Sequence, residues 1–433
     1  MTVTLAALAA TLHTLFTTTA TLLGRTCGLI QRKRQLTAAD FAQTLVFGWI
    51  DHPKASLESF AIRLDLSPQA LQQRMNPHAR AFFITLIAHA LRLVHAARRC
   101  RVGLLDRFSA VVVEDTTIVN LPADCSADWR GTGGSDPLRG RAAMKIHIRW
   151  ELTSGQLLSL QCLPQATGDV KLAATAAELP EGALHLADQG FFDTRRWCDF
   201  ADRFWISRVP SEMRVKIGDG WEGLADWLRG LRKREFDAQV GLVPAHGLVC
   251  RLVVRRVPTE VAARRRAKLR AYYRDKRGRE PSQRQLVLCD WLVLATNVPA
   301  ERLNAVELWV VYRCRWQVEL LFKRCKSRLG WSETQGRSGE RIVVEVLAKV
   351  LGLIVVLWGT LLGSGPLAGK SPWKQFGVVR GFALRVQDVL ASRSELRELL
   401  SRLERELGRI KPQPNRRQRP TTRQLLIDPT LAA

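Results

Sequence analysis

Residues 109–115 read SAVVVED, a β-branched run that ends in two carboxylates, and this stretch decides the fold. β-Branched residues favour extended structure, so the run predicts a strand that ends at the acids. The segments KIHIRWEL (145–152) and GQLLSLQCLP (155–164) follow after a long turn and predict two neighbouring strands. The chain therefore begins a sheet at residue 109.

The next segments alternate between helix and strand. Residues 169–179 are predicted to be helical, and ALHLAD (183–188) is a short apolar strand that ends in a second acid. FFDTRRWCDFAD (191–202) predicts a helix that leads to the strand FWISRV (204–209). The order of elements indicates an α/β fold, with a mixed sheet flanked by helices.

The charge balance points to a polyanionic partner. The chain has 66 Lys and Arg against 40 Asp and Glu, a net charge of +26. An excess of this size favours nucleic acid as the partner, and a basic surface that serves only solubility is the alternative. The nine cysteines and eight histidines show no zinc-site spacing, so we expect reduced thiols in a cytoplasmic protein.

Two apolar stretches are not expected to target the protein to a membrane. The threonine-rich N-terminus has no basic residue before Arg25, as a signal peptide would, so secretion is not expected. The stretch 350–362 is too short for the roughly 20 residues that cross a bilayer, which favours a buried helix.

Five regions are predicted along the chain. They are an N-terminal helical DNA-binding domain (1–105), the first part of the core (106–210), a β-rich insertion (211–290), the second part of the core (291–370) and a helical, basic tail that is a candidate for dimerisation (371–433). The tail segment SELRELLSRLEREL (394–407) fits a dimer helix or an ordinary solvated helix.

The first region contains a candidate helix-turn-helix, SLESFAIRLDLSPQALQQRM (56–75). Ser56 is placed to cap one helix, and Ser67 and Pro68 are placed to start the next. The side chains expected to face a DNA groove are Gln69, Gln72, Gln73 and Arg74. A plain helical hairpin fits the same pattern, and both interpretations stay open.

Three acids are candidates for a metal centre: Asp115 and Asp188 at predicted strand ends, and Glu319 on a later helix. Acids in these places can converge at one edge of a sheet, and their hard oxygens suit Mg²⁺ or Mn²⁺. Two such ions roughly 3.5–4 Å apart activate an attacking oxygen and stabilise the leaving one in phosphodiester chemistry. Each acid alone has an ordinary structural explanation.

The helix VYRCRWQVELLFKRCKSRLG (311–330) gives these acids a context. Its spacing is expected to place Tyr312, Arg315, Glu319 and Lys326 on one face, where cations grip a phosphate beside a metal-binding carboxylate. A solvated amphipathic helix is the alternative.

These residues resemble a known family. The spacing Y-x-x-R-x-x-x-E-x(6)-K, with VEDTTIVNLP (113–122) and LADQGFF (186–192), is similar to the motifs of the insertion-sequence-four family of DDE transposases over about residues 105–365. The resemblance implies an RNase H-like core, a metal-binding triad of Asp115, Asp188 and Glu319, and two Mg²⁺ ions that Mn²⁺ can replace.

The resemblance also implies contacts with DNA. Tyr312, Arg315 and Lys326 would contact phosphates at the transposon end, and Trp291 in the strand DWLVLATN (290–297) would stack on a flipped base. An aromatic residue that opens an apolar strand is more often part of the core. A buried core position is therefore the alternative to base stacking for Trp291.

A basic run inside the predicted insertion suits a DNA backbone. Residues 264–279 contain nine Lys or Arg and two tyrosines, Tyr272 and Tyr273. The cations predicted to contact DNA are Arg264, Arg265, Arg266, Lys268 and Arg270. A solvated helix or hairpin explains the same residues, and Lys145 and Arg149 are weaker candidates on the second strand.

The sequence thus predicts a cut-and-paste transposase of an insertion sequence, with a hairpin intermediate implied by the resemblance. Its expected partners are transposon ends and target DNA, bound by a homodimer in the bacterial cytoplasm at the nucleoid, and no membrane. A non-catalytic DNA-binding regulator and a simple metal-dependent nuclease are the alternatives.

Overall fold

The computed structural model describes residues 3–32, 36–93, 95–132, 142–243, 245, 247–336, 338–416 and 418–432. The N-terminal helices are α1 (Leu5–Thr14), α2 (Ala20–Thr26), α3 (Ala38–Asp51), α4 (Leu57–Arg63), α5 (Pro68–Gln73) and α6 (Pro77–Arg92). They are followed by β1 (Val111–Asn120), β2 (Ala143–Glu151), β3 (Leu157–Pro164), β4 (Leu184–Ala187), α7 (Thr194–Cys198) and β5 (Phe204–Arg208).

The remaining elements follow in chain order. The middle of the chain forms β6 (Arg214–Ile217), β7 (Gly220–Gly223), α8 (Leu224–Gly230), β8 (Glu235–Leu242), β9 (Leu248–Arg256), α9 (Thr259–Arg277), α10 (Gln283–Leu288) and β10 (Trp291–Thr296). The last part forms α11 (Ala305–Tyr312), α12 (Trp316–Arg328), α13 (Gly339–Leu361), α14 (Pro372–Gly381), α15 (Ala383–Asp388), α16 (Arg393–Arg409) and α17 (Thr422–Ile427).

The chain divides into two units. Unit 1 comprises Met1–Val102, Asp115–Gly168 and Trp316–Arg417, and unit 2 comprises Gly103–Glu114, Asp169–Arg315 and Gln418–Ala433. The boundary falls within β1, so this strand contributes residues to both units.

Unit 1 is built around the apolar helix α13, which packs against α3 and α6. Local caps start the partner helices: Thr37 and Asp40 form a capping box on α3, and the Asn76 side chain accepts backbone hydrogen bonds at the start of α6. Satisfied N-termini let these helices present their apolar faces to α13. In the same unit, β2 and β3 form an antiparallel pair.

Unit 2 contains most of the sheet. Residues 111–113 of β1 pair in parallel with β4, and β4 pairs in parallel with β5. The antiparallel order β5-β10-β9-β8-β6-β7 completes it. A mixed sheet flanked by helices confirms the predicted α/β, RNase H-like class.

Two predicted elements differ from the structure. β1 does not end at the acids but continues to Asn120, because the β-branched Thr116, Thr117, Ile118 and Val119 extend it. Residues 169–179 form two short 3₁₀ turns, Asp169–Leu172 and Ala176–Glu178, in place of the predicted helix. A capping box between Thr175 and Glu178 closes the second turn locally, so it does not extend into a helix.

The N-terminal and C-terminal helices follow their sequence patterns closely. Ser56 caps α4, Ser67 caps α5, and Pro68 is the first residue of α5. In α16 the five leucines Leu396, Leu399, Leu400, Leu403 and Leu407 are all buried inside unit 1. The apolar face of this helix is thus already covered within the chain, and the helix packs against α1.

Two helical segments are long and apolar enough to cross a membrane by length and composition alone, Leu5–Thr26 and Gly339–Leu361. The most apolar window of the second is completely buried in the protein, which is typical of a core helix.

Candidate active site

Unit 1 contains an open cavity of about 570 Å³ beside the first acidic motif. Its lining residues are Asp115, Thr116, Thr117, Glu319, Phe322, Lys323, Lys326, Ser327, Ser332 and Glu333. The strand β1 supplies the first three, α12 supplies the next five, and the segment after α12 supplies the last two. The structure therefore brings Asp115, Glu319 and Lys326 to one cavity.

Asp115 lies in the middle of β1 and is half-buried. Its Oδ1 accepts a hydrogen bond of 2.8 Å from the backbone amide of Thr116. This local bond fixes the carboxylate in place. An oriented carboxylate at a cavity wall is a suitable ligand for a hard cation.

Glu319 and Lys326 lie seven residues apart on α12, which puts both on the face that lines the cavity. Lys323 lines the same cavity, although its sequence position also fitted a solvated face. The two ammonium groups of Lys323 and Lys326 and the carboxylates of Asp115, Glu319 and Glu333 give the cavity both ligands for a cation and charges that neutralise a phosphate.

Tyr312 and Arg315 belong to unit 2, and the predicted single helix is interrupted at this point. A 3₁₀ turn, Arg313–Arg315, separates α11 from α12, so the four motif residues do not lie on one continuous α-helix. A 3₁₀ turn inside a helical stretch often marks a functional site.

Asp188 directly follows β4 in unit 2, as predicted, and is half-buried. Arg208 at the end of β5 places its Nη1 3.9 Å from Asp188 Oδ1. This Oδ1 is a buried oxygen with no hydrogen-bond partner among the described residues. Buried polar atoms normally have a hydrogen bond, so this carboxylate oxygen, which has an arginine nearby but no hydrogen bond, can ligate a cation.

Tyr312 holds the backbone next to Asp188. Its Oη donates a hydrogen bond of 3.1 Å to the carbonyl oxygen of Ala187, and the Arg315 guanidinium lies 6.0 Å from the centre of its ring. Burial, with a smaller contribution from the Asp188 carboxylate, raises the pKa of Tyr312 well above its usual value. The phenol is therefore a neutral donor at every pH at which the protein would be assayed.

Arg208 is not among the site residues predicted from the sequence. The parallel register pairs Ala187 with Ser207, so Asp188, the residue after β4, lies at the level of Arg208, the last residue of β5. The strand FWISRV contained the signal, because an arginine at the end of an apolar strand reaches the same sheet edge as the acid beside it. Only the pairing of β4 with β5 makes that relation visible.

Trp291 begins β10 and is buried, with the Arg256 guanidinium 5.4 Å from its ring centre. Its backbone carbonyl accepts a hydrogen bond of 3.1 Å from Arg265 on α9. The tryptophan is thus a packed strand residue that touches the basic helix.

The basic run forms the helix α9, with Arg264, Lys268 and Arg270 exposed. Arg265 and Arg266 are half-buried, and Arg266 pairs with Asp290. Tyr272 is half-exposed at 51% and lies in edge contact with Tyr273. One part of the run therefore anchors the helix, and another part presents cations to solvent.

The other candidate DNA contacts differ in exposure. Gln69 and Gln73 on α5 are exposed, whereas Arg74 donates to the carbonyl of Leu29. Lys145 is buried, and its ammonium donates to the carbonyl of Thr167. Arg149 is buried on the same strand.

The donor set consists of carboxylate oxygens, which fits Mg²⁺ or Mn²⁺. Within the ranges that the structure describes, no group of three or more His, Cys, Asp or Glu side chains lies close enough together to hold a metal ion. Asp115 and Glu319 share the cavity of unit 1, and Asp188 belongs to the strand edge of unit 2.

Comparison with known proteins gives consistent results. A family profile described as "Transposase DDE domain" matches residues 106–355. The chain is 24% identical over 370 residues to the transposase for insertion sequence element IS231E of Bacillus thuringiensis subsp. finitimus, covering 77% of this chain and 75% of the relative.

Two further relatives carry similar names. The transposase for insertion sequence element IS1151 of Clostridium perfringens is 24% identical over 361 residues, which cover 75% of this chain and 74% of that protein. The transposase for element IS231F of Bacillus thuringiensis subsp. israelensis is 22% identical over 424 residues, covering 88% and 86%. The similarity extends well beyond the profile match.

Proposed function

The chain belongs to the DDE transposases of the insertion-sequence-four type, and from this premise we propose that it performs cut-and-paste transposition with Asp115, Asp188 and Glu319 as its metal-binding triad. Domains of this family use divalent metal ions. The observation that carries the proposal is the cavity of unit 1, which is lined by Asp115, Glu319 and Lys326 together.

The strand register supports the inclusion of Asp188. Val111 of β1 pairs with Leu184 of β4, 73 positions later in the chain, and the next two pairs keep this offset. Asp188 follows Asp115 by the same 73 positions. The two acids thus have equivalent sequence positions relative to the paired residues of β1 and β4, which is why Asp188 is included in the proposed triad.

Each residue has a role in this proposal. When bound at the triad, two Mg²⁺ or Mn²⁺ ions would activate the attacking oxygen and stabilise the leaving oxygen of an in-line displacement. Lys326 and Lys323 would neutralise the phosphate oxygens, and Arg315 and Arg208 would add positive charge beside Asp188. Tyr312 would hold the end of β4 through the Ala187 carbonyl.

The proposed reaction consists of four displacements at phosphorus. Water breaks a phosphodiester at the transposon end and releases a 3′-hydroxyl. This hydroxyl attacks the opposite strand to give a hairpin, and a second water opens the hairpin to a blunt end. The same hydroxyl finally attacks target DNA, so each step exchanges one P–O bond for another at one site.

The basic elements would bind the DNA in this proposal. The exposed cations of α9 would track the phosphate backbone, and Gln69, Gln73 and Arg74 would approach a groove. Trp291 would stack on a flipped base once the strand end is distorted, and Lys145 would act only after a similar rearrangement. In this proposal a homodimer binds the transposon ends, and it does so in the cytoplasm, at the nucleoid.

A product assay tests the proposal. The purified chain is incubated with Mg²⁺ and labelled fragments of the DNA that flanks its coding sequence, and the products are separated on denaturing gels. We expect nicked, hairpin and joined species in that order of appearance. Bound but uncut DNA would favour the regulator, and cleavage without strand transfer into a plasmid would favour a simple nuclease.

A further prediction concerns the basic helix. The substitutions Arg264→Gln and Lys268→Gln together are expected to lower the slope of log affinity against log salt concentration by about two, because each phosphate contact contributes roughly 0.9. Dissociation constants measured at several salt concentrations would give the slope. The control is Arg402→Gln with Arg409→Gln, which removes the same charge from exposed positions of α16. An equal change in slope for this control would contradict the assignment.

A further inference from the structure

Residues 330–335, called here the 330–335 loop, lie in the connection between α12 and α13, and Ser332 and Glu333 of this loop form one wall of the candidate active-site cavity. Ser332 and Glu333 of this loop line the cavity together with Asp115 and Glu319. Loops are more mobile than helices and strands. A cavity wall formed by a loop therefore keeps a fixed position only if other residues restrain the loop. In this protein two charged side chains of α13, Lys349 and Glu345, form hydrogen bonds with the backbone of the loop.

Lys349 makes the first part of this contact. Its side chain is completely buried, and its Nζ donates to the carbonyl oxygens of Gly330 at 3.0 Å and Glu333 at 2.8 Å. The third bond goes to Glu345 Oε1 at 2.7 Å, one helical turn away. All three protons of the ammonium group thus have acceptors, and two of these acceptors are loop backbone.

Glu345, one helical turn before Lys349, binds the other end of the loop. Its Oε2 accepts a hydrogen bond of 3.0 Å from the backbone amide of Gln335 at the other end of the loop. The loop residue Trp331 is buried, and its indole donates to the carbonyl of Lys349 at 3.3 Å. Both ends of the loop are therefore tied to residues 345–349.

These two charges are unusual in their surroundings. Between residues 342 and 361 the helix α13 has no other charged side chain, and its interior window is wholly buried. A buried ion pair is often no more stabilising than apolar residues of similar volume, because both charges lose their hydration. A contribution to folding stability is therefore a weak explanation for the presence of this buried pair. Its hydrogen bonds to the loop are a more specific explanation.

We propose that Lys349 and Glu345 are positioning residues that hold the 330–335 loop as a fixed wall of the active site. The inference rests on the proposed function for its catalytic part. With the backbone pinned at Gly330, Glu333 and Gln335, the side chains of Ser332 and Glu333 keep a constant place beside Glu319 and Lys326.

The N-terminal part of unit 1 supports the same loop. Gly330 has a φ of 60°, and a β-carbon there would lie 2.9 Å from the Pro53 side chain, so the loop turns closely against the segment after α3. Lys54 Nζ also lies 2.7 Å from a carboxylate oxygen of Glu333. This exposed pair adds little by itself, which leaves the buried pair as the main restraint.

The test compares an apolar double variant with a conservative single variant. Lys349→Met with Glu345→Leu keeps approximate volume and removes both charges together, so no charge is left buried alone. Glu345→Gln keeps one oxygen that can accept from Lys349, but its amide nitrogen cannot accept the hydrogen bond from the Gln335 backbone amide. Glu398→Gln with Arg402→Gln removes an exposed pair of the same spacing on α16 as the matched control.

Two measurements are made on each full-length variant. Hydrogen exchange reports the protection of the amides of residues 330–335, and the labelled-fragment assay with Mg²⁺ reports end cleavage. In the apolar double variant we expect loss of amide protection in the loop, retained protection in α13, and cleavage slowed by about tenfold or more with DNA affinity unchanged. Glu345→Gln is expected to lose protection at the Gln335 amide and to cleave at an intermediate rate, whereas the control is expected to stay within about threefold of the unmodified chain.

Several outcomes would overturn the inference. Unchanged loop protection in the folded double variant would show that the pair does not hold the loop. Lost protection with undiminished cleavage would show that the position of the wall does not matter to the reaction. If the unmodified chain cleaves nothing, the proposed function fails, and hydrogen exchange alone decides whether the pair fixes the loop. A double variant that does not fold would assign the pair to stability and also reject the proposal.

Discussion

The substitution Glu319→Gln is expected to abolish cleavage of the transposon end, with the rate reduced by about 10³-fold or more. Glutamine keeps the volume of the side chain but removes the negative charge that binds a hard cation. Metal ions contribute several kcal/mol to the stabilisation of the transition state, and each 1.36 kcal/mol corresponds to a factor of ten in rate.

DNA binding should survive this substitution. Glu319 is half-buried at the cavity, whereas the exposed cations of α9 lie elsewhere on the chain. Removal of a negative charge beside a phosphate site does not weaken attraction for DNA, so the dissociation constant should stay the same or fall slightly. The control is Glu398→Gln on α16, which is expected to cleave normally. Cleavage by Glu319→Gln within tenfold of the unmodified rate would remove the glutamate from the catalytic centre.

Removal of divalent metal is expected to have a similarly large effect. With a chelator present, no nicked, hairpin or joined product should form, and added Mg²⁺ or Mn²⁺ should restore all three together, because one site serves every step. The protein should still retain labelled DNA on a filter, since the cations of α9 need no metal. Persistence of any one product in the chelator would show that this step does not use the proposed centre.

The strand and helix positions around the site could largely be predicted from sequence. The β-branched run at 111–113 and the short apolar stretch before Asp188 predicted β1 and β4, and the capping residues Ser56 and Ser67 predicted the starts of α4 and α5. These features are local: they depend on side-chain shape and on nearby backbone hydrogen bonds.

The exceptions arise where tertiary contacts or alternative local bonds compete with propensity. The alanine-rich stretch 169–179 favoured a helix, yet Thr175 and Glu178 close a 3₁₀ turn, and the amide of Ala174 donates to the buried Glu114. The predicted end of β1 at the two acids is wrong because the threonines that follow them extend the strand. Propensity is a weak guide in such places.

The roles of Arg208 and Lys349 depend on pairings between distant segments. Arg208 lies beside Asp188 only through the register of β4 with β5, and Lys349 meets Gly330 and Glu333 only through the fold of the loop onto α13. Hydrophobic periodicity places a residue on a face of an element but does not identify the neighbouring element. The candidate triad was accessible from sequence because its acids lie in recognisable motifs, whereas the support around it was not.

The most critical part of the proposed function is that Asp115 and Asp188 both ligate the catalytic metal ions. The most direct measurement is end cleavage by Asp115→Cys and by Asp188→Cys, each with Mg²⁺ and with Mn²⁺. A thiolate is a soft ligand that suits the hard Mg²⁺ poorly, so both variants should be inactive with Mg²⁺ and regain activity with Mn²⁺. Full cleavage with Mg²⁺ by Asp188→Cys, alongside an inactive Asp115→Cys, would contradict a shared centre.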